Sequence, residues 1–268
     1  MRAIKDMIRL FRINEWFSDV FLWYLSILVL SILLSGSSFK AASLFVFYHF
    51  IMLCYGYVVN SYADIRQDII AGKRNVFAGY SKDARDSIIL TSSFIVFLMP
   101  IVLFRGFSLV IAIAYINLAI AAYYSLEPIR LKEKGFISIV AASLSQGSLS
   151  YLMFSLYSGI GYEAYLGFFL WIFFIEASDD ITHQICDYIN DKRAKVSTFT
   201  TKRGLRNASY ANYILISSAA LLPSIYFFQD IYKGGMSMLL LGAFTWEKYS
   251  SFKEEKYKLF REIIKCRR

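Results

Sequence analysis

Histidine, cysteine and proline are all rare here: 2, 3 and 3 residues in a chain of 268. Cys54, Cys186 and Cys266 are odd in number and scattered, so no disulfide framework is implied. Charge is sparse as well. Charged residues are 18% of the chain and hydrophobic residues 57%, with a mean hydropathy of +0.47. Water-soluble domains sit at roughly 45–50% apolar, so a soluble fold is excluded. No polar linker is long enough to separate two domains, and residues 1–268 read as one transmembrane domain. No small-residue cleavage site follows the first apolar run, which is therefore expected to stay as a span. The net charge of +9 points to membrane orientation rather than nucleic acid, because it accompanies so apolar a composition.

What the chain has in quantity is long charge-free stretches. These run Val20–Phe39, Ala41–Ala63, Ser87–Phe104, Gly106–Leu126, Phe136–Tyr162 and Asn207–Gln229, with two weaker ones at Ala164–Ile175 and Gly234–Trp246. Windows of about 20 such residues are membrane spans. With eight spans and a cytoplasmic N-terminus, 26 Lys and Arg fall inside and only Lys40, Arg105 and Lys233 outside. A missed span would swap the sides of everything downstream, so this split supports the count. Both termini are then cytoplasmic. Residues 1–17 are expected to lie in the interface before the first span, and residues 247–268 form a basic tail. The sequence gives no sign of oligomeric state.

The second span runs into Asn60-Ser-Tyr-Ala-Asp64-Ile-Arg-Gln-Asp68, and the sixth into His183-Gln-Ile-Cys-Asp187-Tyr-Ile-Asn-Asp191. Steps of four place each set on one helical face, drifting by about 40° per step. Each member of the second set follows its counterpart by 123 residues. The chain thus reads as two related four-span halves, an internal repeat common in membrane proteins. Like charges at i, i+4 repel and weaken a helix, and a membrane boundary adds desolvation cost. A bound cation is the usual reason to tolerate both. Hard carboxylate and amide oxygens without cysteine point to Mg²⁺, which is commonly shared between one or two carboxylates and substrate phosphates. Asn60, Asp64, Asp68, Asp187 and Asp191 are the candidate metal ligands. Ordinary polar helix ends would explain one such set, but less readily two in matching register. A cation-coupled transporter also places acidic residues on repeated halves, though near the bilayer midplane rather than at one face.

A basic turn follows the fourth span: Tyr123-Tyr124-Ser-Leu-Glu-Pro128-Ile-Arg130-Leu-Lys132. Pro128 cannot continue the helix. Arg130 and Lys132, alternating on an extended segment, would reach the same phosphate. Lys73 and Arg74 after the first acidic motif, and Lys192 and Arg193 after the second, are the other candidate phosphate ligands. His183, with an unperturbed pKa near neutrality, is a candidate proton relay or a satisfied structural histidine.

From Arg12 to about Gly204 the chain resembles the UbiA superfamily of intramembrane prenyltransferases. Asn60–Asp68 resembles that family's first Asp-rich motif. Asp187–Asp191, with Lys192, Arg193, Thr198 and Gly204 behind it, resembles the second. Tyr124 through Lys132 is similar to its tyrosine–proline–arginine–lysine loop. The resemblance implies an all-α bundle of eight to nine spans around a cavity open to the cytoplasm. It also implies Mg²⁺ held by both motifs, an isoprenyl diphosphate donor and a lipophilic, possibly aromatic, acceptor. On that reading the catalytic set is Asp64, Asp68, Asp187, Asp191 and His183, with Tyr124 among the substrate-binding residues, in a bacterial plasma membrane. The chain departs from the pattern at His183 and Ser61, where Asp is frequent, and Asp180, one turn before His183, is the candidate metal ligand in place of the first. Two rivals share the fold: transfer of a phosphorylated sugar onto a polyprenyl phosphate, and cyclisation of the prenyl chain.

Overall fold

The computed structural model describes residues 8–36, 38–226, 241–254 and 256, and among these only helices and turns occur. The order is α1 (Leu22–Ser35), α2 (Phe39–Ala63), α3 (Ile65–Ile70), α4 (Lys82–Leu103), α5 (Ser108–Ser125), α6 (Phe136–Ser158), α7 (Tyr162–Cys186), α8 (Tyr188–Arg193) and α9 (Phe199–Tyr226). Residues 241–254 form α10. Helices α2, α4, α5 and α6 are long and apolar enough to cross a bilayer, and Leu22–Leu33 of α1 is a shorter apolar helix. Helix α7 has the length, at 25 residues, but carries Glu176, Asp179 and Asp180. The eighth expected stretch, Gly234–Trp246, lies partly outside the described residues.

The chain divides into two compact units. One comprises residues 1–131 and 144–161, the other 132–143 and 162–268. Helix α6 therefore contributes its first turns to one unit and the remainder to the other, with a π-helical stretch at Leu144–Ser148 where the change occurs. In the first unit α2 packs on α1, α4, α5 and the C-terminal part of α6. Phe45, Tyr48, Val58, Phe104, Tyr151 and Phe154 are fully buried there. Leu90, Phe94 and Val102 on α4 and Leu109 on α5 instead point outward. Patches of this kind on adjacent helices are what a lipid-facing surface requires. In the second unit α7 packs on α9 and on the first turns of α6. Their core is Ile139, Ala177, Ile181, Ile185, Ala208, Ile216 and Phe252.

The repeat seen in the sequence extends to backbone detail. Helices α2 and α7 are both 25 residues long and start and end 123 positions apart. Each is preceded by a glycine in the left-handed region that closes the helix before it: Gly36 at φ 69° and Gly159 at φ 66°. Both positions need φ > 0, which glycine adopts without steric cost. The N–H of Gly36 reaches Ile32 O, and that of Gly159 reaches Ser155 O, again 123 residues on.

Candidate functional site

Both long helices break at the central aspartate of their motif. Asp64 has φ −100° and ψ 8°, and Asp187 has φ −85° and ψ 0°. These are bridge-region values, sparsely populated and frequent at functional residues. The break leaves the four-residue ladder intact. Asp64 N donates to Asn60 O at 3.0 Å and Asp68 N to Asp64 O at 2.8 Å, while Asp187 N donates to His183 O at 2.9 Å and Asp191 N to Asp187 O at 2.8 Å. A hydrogen-bonded C-terminal turn then closes each short helix. Ala71 N donates to Gln67 O, Gly72 N to Ile69 O and Lys73 N to Asp68 O in the first motif. Ala194 N to Asn190 O, Lys195 N to Lys192 O and Val196 N to Asp191 O repeat them in the second. The left-handed residue at the turn is Gly72 in one copy, φ 71°, and Lys195 in the other, φ 57°.

Around the first motif the turn after α5 folds back onto the acidic residues. Ser125 Oγ donates to Asn60 Oδ1 at 2.8 Å. Arg130 is buried, and its Nη2 donates to Asp64 Oδ1 at 2.8 Å. The other guanidinium nitrogen donates to the carbonyls of Ser125 and Ala63 at 3.2 and 3.4 Å. The segment is not extended as the sequence reading expected. The Glu127–Pro128 peptide is cis, Arg130 lies at φ 45°, and Leu131–Glu133 is a 3₁₀ turn. Alternation along a strand thus gives way to a tight turn, and Arg130 grips the aspartate motif itself. Lys132 begins the other unit. Tyr124 is half-buried at the end of α5.

Asn75, which the sequence reading did not single out, is the second fastener. Its Nδ2 donates to Asp68 Oδ2 and to Ser61 O, both at 2.7 Å, and its Oδ1 accepts from Phe77 N at 2.8 Å. An Asn directly after Lys73-Arg74, before a short apolar turn, is a capping signal that could have been read. A cavity of about 700 Å³ opens beside this loop, lined in part by Asp68, Lys73, Arg74, Asn75, Arg9 and Arg12. Arg9 and Arg12 were also missed as site residues, because their segment reads as a membrane-lying helix. Burial raises the Asp68 carboxyl above its ordinary pKa. The Asn75 hydrogen bond opposes this, the Asp64 charge adds to it, and Arg12 and Lys73 pull it back down. Lys82, Arg85, Asp86 and Arg130 border a second hollow of about 470 Å³ in the same unit.

The second motif is held through its neighbours. Buried Gln184 donates to Asp180 Oδ2 at 2.7 Å and accepts from Thr200 N at 3.1 Å. Thr198 Oγ1 accepts from Thr201 N at 3.2 Å, the capping role of Asn75 at the position 123 residues on. Lys192 sits 4.6 Å from the Tyr188 ring centre, and Lys192 and Arg193 are exposed. His183 Nε2 lies 3.4 Å from Asp179 Oδ2, and Lys248 of α10 donates to Asp179 Oδ1 at 3.0 Å. Asp180 is buried, one turn nearer the middle of α7 than His183.

Asn60, Asp64 and Asp68 offer hard oxygens, and a divalent cation beside them would offset the burial and the Asp64 charge that raise the Asp68 carboxyl. Among the described residues no three His, Cys, Asp or Glu side chains form a ready-made metal cage. This donor set fits a cation that takes one or two carboxylates and completes its shell with phosphate and water.

The model of the UbiA prenyltransferase family matches residues 21–260. The chain is similar to the structure of a UbiA homolog from Archaeoglobus fulgidus bound to DMAPP and Mg²⁺, at 14% identity and a TM-score of 0.67, covering 90% of this chain and 86% of that one. The structure of such a homolog bound to GPP and Mg²⁺ matches at 16% identity and a TM-score of 0.61, covering 90% and 84%. At these identities the likeness carries the fold. A search of curated protein sequences finds no match.

Proposed function

Since the chain belongs to the UbiA prenyltransferase family, we propose that this integral membrane protein transfers a prenyl group from an isoprenyl diphosphate to a lipophilic acceptor, using Mg²⁺. The observation that carries the reading is the repeated break at Asp64 and Asp187, each with a carboxylate one turn further on. The solved homologs bound to DMAPP or GPP with Mg²⁺ support the donor class. Asn60, Asp64 and Asp68, and Asp180, Asp187 and Asp191, are the residues that would hold the metal. Bound there, Mg²⁺ neutralises charge on the departing diphosphate.

The protein's own groups do the rest. Lys73, Arg74, Lys192 and Arg193 supply hydrogen-bond donors to phosphate oxygens. Arg130 holds Asp64 in place through the ion pair, and Asn75 holds Asp68. When the carbon–oxygen bond of the donor breaks, the allylic fragment gains cation character, and aromatic faces stabilise it. A carbon or oxygen of the acceptor closes the new bond and releases a proton, for which His183 is the candidate relay. The excess of Lys and Arg in alternate loops supports a cytoplasmic position for the motifs.

The test is turnover of radiolabelled geranyl and dimethylallyl diphosphate by protein in lipid nanodiscs, with membrane lipid extract as acceptor source. Mg²⁺-dependent appearance of a prenylated lipid, lost with EDTA and in Asp64→Ala, is the expected result. Pyrophosphate release without a prenylated acceptor would point to cyclisation instead. No consumption of either donor would overturn the assignment.

A further inference from the structure

Three residues other than glycine hold a positive φ among the described positions: Arg12 at 51°, Arg130 at 45° and Lys195 at 57°. All three are cations. The left-handed region costs a side-chain-bearing residue roughly 1–2 kcal/mol, and strain of this kind gathers at functional sites. For two of them the internal repeat shows what an unstrained solution is. Lys195 corresponds to Gly72, and Arg12 corresponds to Gly135, at φ 67°. In the second half the position before the first helical turn is a glycine. In the first half it carries a guanidinium on the same strained backbone.

That guanidinium is well placed. Arg12 lines the 700 Å³ cavity with Arg9, Lys73 and Arg74, four cations to the one carboxylate of Asp68. It sits 5.6 Å from the centre of the Tyr57 ring, one turn before Asn60 on α2. The segment that carries it is pinned. Trp16 is fully buried, donates its indole N–H to Phe11 O at 2.8 Å, and packs on Phe21, Phe50 and Tyr57. A lipid-lying segment would need no such anchor, nor a strained arginine turned toward an acidic motif.

We infer that the segment before the first span is a wall of the donor site, and that Arg12, assisted by Arg9, binds the diphosphate of the prenyl donor opposite the Asp68 carboxylate. The inference rests on the proposed transferase reading and adds a phosphate-binding residue to it. A diphosphate brings more negative oxygens than Lys73 and Arg74 alone satisfy. Arg supplies the planar pair of donors that a phosphate accepts in bidentate fashion. The work of the strained turn is to aim that fork.

The experiment is calorimetric titration of full-length protein in nanodiscs with Mg²⁺ plus inorganic pyrophosphate, and with Mg²⁺ plus geranyl diphosphate. Arg12→Gln and Arg12→Gly are each expected to weaken pyrophosphate binding tenfold or more. Arg12→Lys should recover part of the loss, since it keeps the charge but not the fork. Arg12→Gly should also unfold at a temperature no lower than wild type, because glycine relieves the backbone. That pairing separates a ligand-binding role from a structural one. Wild-type affinity in both Arg12→Gln and Arg12→Gly overturns the inference. If Asp68→Asn abolishes binding in the same series, the transferase reading stands without it. If wild-type protein binds neither ligand, the transferase reading itself fails.

Discussion

The turn after Asp64 and the turn after Asp187 share their backbone hydrogen bonds residue for residue, yet different side chains hold them. In the first, Arg130 and Asn75 bond directly to the motif's own carboxylates, Asp64 and Asp68. In the second, Gln184 ties Asp180 to Thr200. Helix α7 also buries Glu176 and Asp180, and its Asp179 forms a half-buried pair with Lys248. At the matching register, α2 has Leu53, Tyr57 and Gly56, and α5 ends in Ser125 where Lys248 stands. The backbone that presents the acids is common to both copies. The means of making it rigid diverged, so equivalent substitutions in the two halves should have unequal consequences wherever they touch the fasteners.

The largest effect should fall where the halves agree. Asp64→Ala and Asp187→Ala are each expected to lower turnover by on the order of 10²–10³-fold, comparable to removing one preorganised charge-stabilising group, while the protein still inserts and folds. Initial rates with geranyl diphosphate measure it, and a large gap between the two mutants would break the symmetry. Next comes Lys248→Met. It removes the ammonium from Asp179 and leaves His183 beside that carboxylate, so a loss of about 2 kcal/mol is expected, read as a lower unfolding temperature in detergent. Ser125→Ala, its counterpart, should cost about 1 kcal/mol.

Smaller still are the two turn residues. Gly72→Ala should destabilise by about 1 kcal/mol, because alanine resists φ 71°, whereas Lys195→Gly should be neutral or slightly stabilising. The smallest effect is a pH slope. Burial raises the folded-state pKa of Asp68 above the ordinary carboxyl value of 3.8. Its contribution to metal-free stability is therefore fullest below that value, and it is lost as pH rises through the higher folded pKa. Asp68→Asn should flatten that slope in acid melts run with EDTA. An unchanged slope would assign it to another group.

Much of this architecture was legible from charge and spacing alone. The charge-free stretches located the helices, because a bilayer forces backbone groups to bond within each segment. The offset of 123 residues between Asp64 and Asp187 announced the repeat. The position of Arg130 was not legible: an extended segment and a left-handed turn can carry the same residues, and the choice is made by the docking of Ser125 and Arg130 onto α2. The burial of Trp16 was not legible for a similar reason. Amphipathic spacing reports an apolar face without saying whether lipid or protein covers it, and Trp16 turned out to be buried in protein. Asn75 was readable as a cap. Its second bond, to Asp68, depends on how the loop closes.

Gly36 and Gly159 also set a depth. Each lies three residues before a 25-residue helix, which at 1.5 Å per residue spans about 37 Å. A bilayer's hydrocarbon core is only about 30 Å thick. Helices α2 and α7 therefore act as rulers of equal length. For α2, which is long and apolar enough to cross a bilayer, that length carries the aspartate at its end beyond the thickness of the hydrocarbon. One residue added to either ruler would turn its aspartates by about 100° and carry them about 1.5 Å further, putting the two copies out of step.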